Sequence, residues 1–214
     1  MRMIIPELGS IRAFVILVDI NRFAKMVKEC QESLIAQFTR DVLSGAISAI
    51  EKENGEVIGF MGDAILGMLP DPDATACACF GIAKDLNSQC EYLSETQKEI
   101  PESWTYAPGG PSLKISVEYG TLDISTIQSK FLGTQKLLIG DAINYAARIS
   151  HAGSGNRCLI GPMAVKEGIS NYQVEGPFFI RGKRGEGNYE YYRLPLGDFW
   201  IEGRKKRKGL TYWP

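Results

Sequence analysis

The segment IRAFVILV, residues Ile11 to Val18, is a continuous apolar run that ends at Asp19. An unbroken run of this length is typical of a central strand that is buried on both faces. Apolar residues then recur at three- and four-residue steps from Arg22 to Lys52, which predicts one long helix with an apolar face. Asn54-Gly55 is a strong turn signal, and it predicts the end of this helix.

The next segment, EVIGFMGDAILGML from Glu56 to Leu69, predicts a β-hairpin because two short apolar runs flank Gly62-Asp63. The later pattern predicts helices at Ala74–Glu95 and Asp141–Ser150 and a surface loop at Ile100–Pro111. It predicts a second hairpin, formed by strands at Leu113–Glu118 and Gly120–Ile127. Further strands are predicted at Lys136–Ile139, Arg157–Ile160, Tyr172–Phe179 and Glu190–Leu194, and the last of these is expected to close the sheet. This order favours an α/β (α+β) sandwich in which helices cover a mixed sheet.

The composition is that of an ordinary soluble protein with one substantial core. The chain has 214 residues, 44% of them hydrophobic and 23% charged, and a net charge of −1. We expect one domain at 1–198 and a solvated basic tail at 199–214, with neither nucleic acid nor membrane as a partner. The opening segment lacks the apolar stretch of a signal peptide, and the five cysteines have no CxxC spacing, so we expect a reduced, cytoplasmic protein.

Two aspartates stand at the ends of predicted strands and are candidate metal ligands. Asp19 follows the central strand, and Asp63 lies in the turn of the next hairpin. Magnesium and manganese prefer oxygen ligands, and one or two carboxylates with substrate phosphates can complete their coordination. Asp19 as a helix N-cap and Asp63 as a turn former is the alternative, and the spacing alone leaves the two interpretations balanced.

The stretch GDAINYAARI, from Gly140 to Ile149, places an amide and a guanidinium on one helix face. Asn144 and Arg148 are four residues apart, so their side chains project in the same direction. Such a pair suits phosphoryl transfer, in which an arginine stabilises developing negative charge. An exposed helix face with a solvated arginine is the alternative.

Three segments together resemble class III adenylate and guanylate cyclases: VDINRF (Val18–Phe23), MGDAILG (Met61–Gly67) and GDAINYAAR (Gly140–Arg148). They occur in the order and at roughly the spacing found in that family, and the likeness extends from about Ile11 to Arg193. The resemblance implies a cyclase homology domain, with a ferredoxin-like βαββαβ core, extra strands and a mostly antiparallel sheet.

The resemblance also implies how the first half of the site is built. Asp19 and Asp63, helped by the Ile20 carbonyl, would hold two divalent cations, Mn²⁺ or Mg²⁺. The strand-to-helix turn that follows has free backbone N–H groups at Phe23 and Ala24, which favour a phosphate group of a nucleoside triphosphate substrate.

For the second half, the resemblance implies that Asn144 orients the ribose and that Arg148 stabilises the transition state. Lys183, in IRGKRG (Ile180–Gly185), matches a lysine that touches the triphosphate. In this family the two halves come from different protomers, so a homodimer with two shared sites is expected.

The sequence departs from purine cyclases at the two positions that usually select the base, which are Gly59 and Leu137 here. Neither side chain can hydrogen-bond to a base edge, and Thr121 also replaces the arginine that the family has after Gly120. Because the metal, ribose and phosphate positions remain, the chain resembles the pyrimidine cyclases of bacterial antiphage (Pycsar-type) defence. This implies cyclic UMP, with cyclic CMP second, acting on a separate effector activated by the cyclic nucleotide.

The sequence allows two other interpretations and disfavours a third. An adenylate or guanylate cyclase of ordinary signalling and a catalytically silent nucleotide-binding module both stay open. A GGDEF-type or palm-polymerase enzyme is disfavoured, because the chain has no GG[DE]EF stretch and those enzymes have no place for the Asn144–Arg148 helix face.

Overall fold

The computed structural model describes residues 3, 6–21, 23–29, 32–96, 112–131, 133–152, 157–183 and 185–196. The strands are β1 (Gly9–Asn21), β2 (Glu56–Met61), β3 (Ala64–Leu69), β4 (Ser112–Ser129), β5 (Gly133–Ile139), β6 (Arg157–Ile160), β7 (Glu175–Arg181) and β8 (Asn188–Pro195). The α-helices are α1 (Phe23–Glu29), α2 (Glu32–Lys52), α3 (Pro72–Thr96), α4 (Asp141–Ser150) and α5 (Pro162–Lys166), and a 3₁₀ helix spans Ile169–Tyr172.

The eight described strands form one sheet in the order β2-β3-β1-β4-β6-β8-β7, with β5 paired to the far part of β4. Strand β3 lies between β1 and β2, so the first half is the split βαββαβ arrangement that the sequence predicted. All pairings are antiparallel except β4 with β6. The predicted fold class, a mixed and mostly antiparallel sheet with covering helices, is confirmed.

Strand β1 is buried on both faces because helices cover both sides of the sheet. Phe14, Ile16 and Val18 pack on the side covered by α1, α2 and α3. Ala13 and Val15 point the opposite way and pack with the alanines of α4. The continuous apolar run of β1 therefore reflects a position at the centre of a three-layer structure.

The prediction of a hairpin at Leu113–Glu118 and Gly120–Ile127 is wrong, since both segments belong to the single long strand β4. The predicted hairpin places a turn just before Gly120, but this glycine lies within the strand, where α4 crosses it closely. A Cβ atom at Gly120 would lie 3.0 Å from the Cβ of Ala142, so the glycine makes room for the helix instead of turning the chain.

Other boundaries also differ from the sequence-based expectation. The predicted helix from Arg22 to Lys52 is divided into α1 and α2, with two residues outside the described part between them. Strand β8 does not close the sheet, because β7 lies beyond it at the edge. Helix α5 and the 3₁₀ helix were not predicted, since each is only about one turn long.

Asn54, with φ of 63°, ends the turn after α2 as the sequence predicted. The expected loop at Ile100–Pro111 and the basic tail at 199–214 both lie outside the described residues. Among the helices that the structure describes, none combines the length and the apolar character needed to cross a membrane.

Candidate active site

Antiparallel pairing of β1 with β3 brings Asp19 and Asp63 together. Asp19 lies opposite Ala64, the first residue of β3, and Asp63 is the turn residue directly before Ala64. Gly62, with φ of 68°, gives the turn the left-handed backbone that it needs. The two carboxyl groups are close enough for Asp19 to raise the pKa of Asp63.

The electrostatics of this pair are those of two carboxylates in a partly desolvated corner. Partial burial raises the pKa of the Asp63 carboxyl above its ordinary value, and the charge and hydrogen bond of Asp19 raise it further. A hydrogen bond from the backbone N–H of Asp63 and the positive charge of Lys114 act in the opposite direction. Close like charges of this kind are stabilised when a cation binds between them.

A lysine that the sequence analysis did not select lies beside the Asp19–Asp63 carboxylate pair. Lys114 is the β4 residue opposite Asp19, and its Nζ lies 3.3 Å from Asp19 Oδ2. The register of β1 with β4 creates this contact between residues that are 95 positions apart in the sequence. The alternation of apolar and polar residues in LKISVE predicts a strand, but it does not predict which residue lies opposite Lys114.

The donor set fits a divalent cation bound with help from substrate. In the ranges that the structure describes, no group of three or more acidic, histidine or cysteine side chains is placed to hold a metal. Two adjacent carboxylates are nevertheless enough when phosphate oxygens and water complete the shell, as is usual for Mg²⁺. The side chain of Ile20 is buried in the core, which leaves only its backbone carbonyl as a ligand. Phe23 and Ala24 form the first turn of α1, directly beyond β1.

Helix α4 carries the second group of candidate residues. Asn144 is exposed, and one turn later the Arg148 guanidinium donates a 2.7 Å hydrogen bond to Glu186 Oε1. Between them, the Tyr145 hydroxyl donates to the Glu190 carbonyl at 2.9 Å and accepts from the Glu190 N–H at 3.0 Å. Tyr145 therefore fixes α4 to β8, and Asn144 and Arg148 are held on a rigid element.

Lys183 lies exposed in the tight turn between β7 and β8. Glu186 closes this turn, because its N–H donates to the Lys183 carbonyl at 2.8 Å and its Oε2 accepts from the Lys183 N–H at 3.1 Å. Lys183 and Arg148 are thus joined through one glutamate that the sequence analysis missed. An acidic residue in a glycine-rich turn beside the candidate lysine was the only available signal.

The two groups lie on the same side of the sheet but are not bonded to each other in the part of the chain that the structure describes. Strand alternation puts Asp19 on the face of Ala13 and Val15, which is the face that α4 covers. Within the described ranges, no hydrogen bond or ion pair joins Asp19 or Asp63 to Asn144 or Arg148. One chain therefore presents two separate halves of a possible site.

Comparison of the fold with solved structures finds several nucleotide cyclases. The guanylyl cyclase Cya2 superposes with a TM-score of 0.74 at 13% identity, over 88% of this chain and 94% of that one. The adenylyl cyclase CyaB from P. aeruginosa gives 0.72 at 15% identity, over 87% and 96%. The guanylate cyclase domain of RhGC from Catenaria anguillulae, solved with GTP, gives 0.63 at 15% identity, over 87% and 97%. This chain has the class III cyclase fold. By sequence, neither a protein-family model nor a curated protein matches it.

Within this class III cyclase fold, the two expected base-selecting positions lie on outer strands of the sheet. Gly59 follows a bulge in β2, the edge strand, and a Cβ atom at Gly59 would meet no described atom within 4 Å. Leu137 lies on β5 with 37% of its surface exposed. Neither side chain carries a hydrogen-bond donor or acceptor, and the role of these two positions in selecting a base stays a prediction.

Proposed function

We propose that this protein is a nucleotidyl cyclase that converts a nucleoside triphosphate into its 3′,5′-cyclic monophosphate and pyrophosphate. In this reaction the ribose 3′ oxygen bonds to the α-phosphorus, pyrophosphate leaves, and the hydroxyl proton is lost. The observation that carries the proposal is the Asp19–Asp63 carboxylate pair at the end of the central strand, on the same sheet face as Asn144 and Arg148.

Asp19 and Asp63, with the Ile20 carbonyl, would hold two divalent cations, Mn²⁺ or Mg²⁺. Bound there, such ions would polarise the attacking hydroxyl and neutralise charge on the phosphates. The backbone N–H groups of Phe23 and Ala24 would bind triphosphate oxygens beside the carboxylate pair.

Arg148 would stabilise negative charge that develops during transfer, Asn144 would orient the ribose, and Lys183 would bind the triphosphate. Because no hydrogen bond or ion pair among the described residues joins these groups to the carboxylate pair, we propose a homodimer. Each of its two sites would combine the carboxylates of one protomer with Asn144 and Arg148 of the other.

We propose a pyrimidine substrate, with UTP placed before CTP. Support comes from Gly59 and Leu137, which offer no side-chain hydrogen bond to a purine edge. An enzyme selects a base strongly when its side chains hydrogen-bond to the edge of that base. Because Gly59 and Leu137 cannot do so, selection of a purine would require other residues in this protein.

The cyclic pyrimidine nucleotide would serve as a second messenger in antiphage defence, switching on a separate effector. We place the catalytic domain at 1–198, with the basic tail at 199–214 outside it, in the cytoplasm. This role predicts that cells carrying the protein accumulate cyclic UMP or cyclic CMP after phage infection, and that cells carrying Asp63→Ala do not. No increase in either nucleotide in the wild-type cells would remove the defence role.

The experiment that tests the activity incubates the purified protein with Mn²⁺ and ATP, GTP, CTP or UTP separately, and identifies products by mass. Asp63→Ala should abolish turnover because a metal ligand is lost. Asp123→Ala is the matched control and should keep full activity, because Asp123 is an exposed acidic position on β4 whose side chain, among the described residues, bonds to Ser10.

Each product has a distinct meaning. A cyclic pyrimidine nucleotide supports the whole proposal, and cyclic AMP or cyclic GMP would keep the cyclase but reject the pyrimidine substrate. The absence of any cyclic product would reject the cyclase.

A nucleotide-binding module without turnover is the second candidate, and the Lys114–Asp19 ion pair favours it. The ammonium group places a fixed positive charge on a carboxylate that a metal ion would otherwise use. Tight binding of a nucleoside triphosphate, with no product formed under any metal condition, would support this candidate.

A further inference from the structure

Glu186 contacts the guanidinium of Arg148 and the backbone of Lys183. Its Oε1 accepts the 2.7 Å hydrogen bond from the Arg148 guanidinium, and its Oε2 accepts from the Lys183 N–H at 3.1 Å. The Tyr189 hydroxyl donates to the same Oε2 at 3.2 Å. Both carboxylate oxygens are thus used, one for the arginine and one for the turn.

Further hydrogen bonds within the turn hold the Glu186 carboxylate in place beside Arg148. The Glu186 N–H also bonds to the Lys183 carbonyl, and the Gly182 N–H bonds to the Gly187 carbonyl at 3.0 Å. A Cβ atom at Gly182 would collide with the Gly187 carbonyl and with the Glu186 side chain, so the turn closes tightly around this glutamate.

The charge state of Glu186 agrees with this arrangement. Although partial desolvation raises the pKa of its carboxyl, the Lys183 N–H, the Tyr189 hydroxyl and the charges of Arg148 and Lys183 lower it below its ordinary value. Glu186 is therefore ionised at neutral pH and can pair with a guanidinium.

The ion pair contributes more to orientation than to stability. The Arg148 and Glu186 side chains are 31% and 30% exposed, and solvent screens pairs at such positions. A long arginine side chain without a partner would populate several rotamers, and bonding to an anchored carboxylate selects one of them.

We propose that Glu186 is a positioning residue that orients Arg148 and links it to the turn carrying Lys183. This rests on the proposed function, in which Arg148 stabilises the transition state and Lys183 binds the triphosphate. Glu186 itself touches no reacting atom. Its removal should impair the chemical step more than substrate binding, because the arginine charge remains but its direction is lost.

The test measures kcat and KM with Mn²⁺ and the triphosphate that the wild-type protein turns over. Glu186→Gln should lower kcat about tenfold and change KM by less than about twofold, because an interaction used mainly in the transition state is weakened. Glu186→Asp keeps the charge and should recover part of the loss. Glu190→Gln removes a charge from the same hairpin and should behave as wild type. Among the described residues its side chain bonds to Tyr192, and its backbone, which holds Tyr145, is unchanged.

A double-mutant cycle separates positioning from a general structural role. In the Arg148→Ala background, adding Glu186→Gln should change kcat by less than about twofold, because the residue through which Glu186 acts is absent. An equal loss in both backgrounds would overturn the proposal, and so would wild-type kcat for Glu186→Gln. If that variant does not fold, Glu186→Asp is measured in both backgrounds under the same criteria. A wild-type protein that forms no cyclic nucleotide would reject the proposed function, and this inference with it.

Discussion

Lys114 Nζ lies 3.3 Å from Asp19 Oδ2 across the ladder between β1 and β4, and both side chains are about three-quarters buried. The Lys114 ammonium group therefore places a positive charge beside the Asp19–Asp63 carboxylate pair. It partly offsets the repulsion between Asp19 and Asp63, and it must also reduce the attraction of the pair for a metal ion.

Replacing Lys114 with methionine should strengthen metal binding. Removing one positive charge next to the carboxylates should improve the affinity for Mn²⁺ about fivefold, a change of about 1 kcal/mol for a partly screened pair. Calorimetric titration of Mn²⁺ into the protein without nucleotide measures this directly. Lys166→Met, on the exposed side of α5, is the control with the same change of charge. Unchanged or weaker Mn²⁺ binding by Lys114→Met would contradict the assignment of this corner as a metal site.

Mixing Asp63→Ala, which should be inactive, with Arg148→Ala, which should keep only a small residual activity, should restore activity if the site is shared. Asp63→Ala lacks a carboxylate and Arg148→Ala lacks the guanidinium, so a mixed dimer has one site in which both groups are present. With equal amounts and free exchange, about half of the dimers are mixed and one of their two sites works, so activity should reach about a quarter of the wild-type value. Activity that stays at the level of the separate variants would show that one chain supplies the whole site.

Installing the purine-selecting side chains should shift the choice of base. Gly59→Lys together with Leu137→Asp should raise the ratio of kcat/KM for ATP to that for UTP at least about tenfold, because new hydrogen-bonding groups then face the base. Both positions have room for the change, since Gly59 faces open space and Leu137 is partly exposed. Ile139→Asp, two residues along the same strand, controls for a charge added on β5. An unchanged ratio would mean that these two positions do not contact the base.

Glu118 should make stability depend on pH. This buried β4 residue accepts hydrogen bonds at 2.8 Å from the N–H groups of Tyr119 and Ala164, the latter in α5. Burial nevertheless outweighs these bonds and raises the pKa of its carboxyl from 4.5 to about 7. Between these values the folded protein holds a proton that the unfolded chain has lost, so the free energy of unfolding should fall as pH rises from about 4.5 to about 7.

The size of this effect is about 3 kcal/mol at most, and it should be nearly complete by about pH 8. Urea unfolding at pH 5 and pH 8 measures it. Glu118→Gln cannot ionise and should lose most of the difference, whereas Glu51→Gln, on the exposed face of α2, should retain it. A wild-type protein that is more stable at pH 8 than at pH 5 would show that Glu118 is not the dominant titrating group.

The sequence predicted most of the fold because its strongest patterns are local. The apolar run of β1, the Gly62-Asp63 turn and the helix of Asn144 and Arg148 each occupy one continuous segment, and the structure has each of them. Gly120 misled the prediction because a glycine in a strand serves either a turn or a close helix crossing, and only the position of α4 distinguishes these. The single-turn helix α5 is too short to leave a periodic signal.

The contacts that complete the candidate site could not be predicted in this way. Lys114 meets Asp19 only through strand register, and Glu186 meets Arg148 across 38 residues of sequence. In both pairs the two residues belong to different helices, strands or turns, so no local sequence pattern predicts the contact. The roles of Asp19, Asp63, Asn144, Arg148 and Lys183 themselves stay predictions until turnover is measured.

Because no hydrogen bond or ion pair among the described residues joins Asp63 to Arg148, each protomer of the proposed dimer would carry half of what catalysis needs. At low expression, the number of complete sites would grow with the square of the protein concentration, since two chains must meet to form them. Doubling the amount of protein would then raise product formation about fourfold, until most chains are paired. A cell could thus hold a small pool of the protein with little background synthesis and obtain a steep response from a modest rise in its abundance.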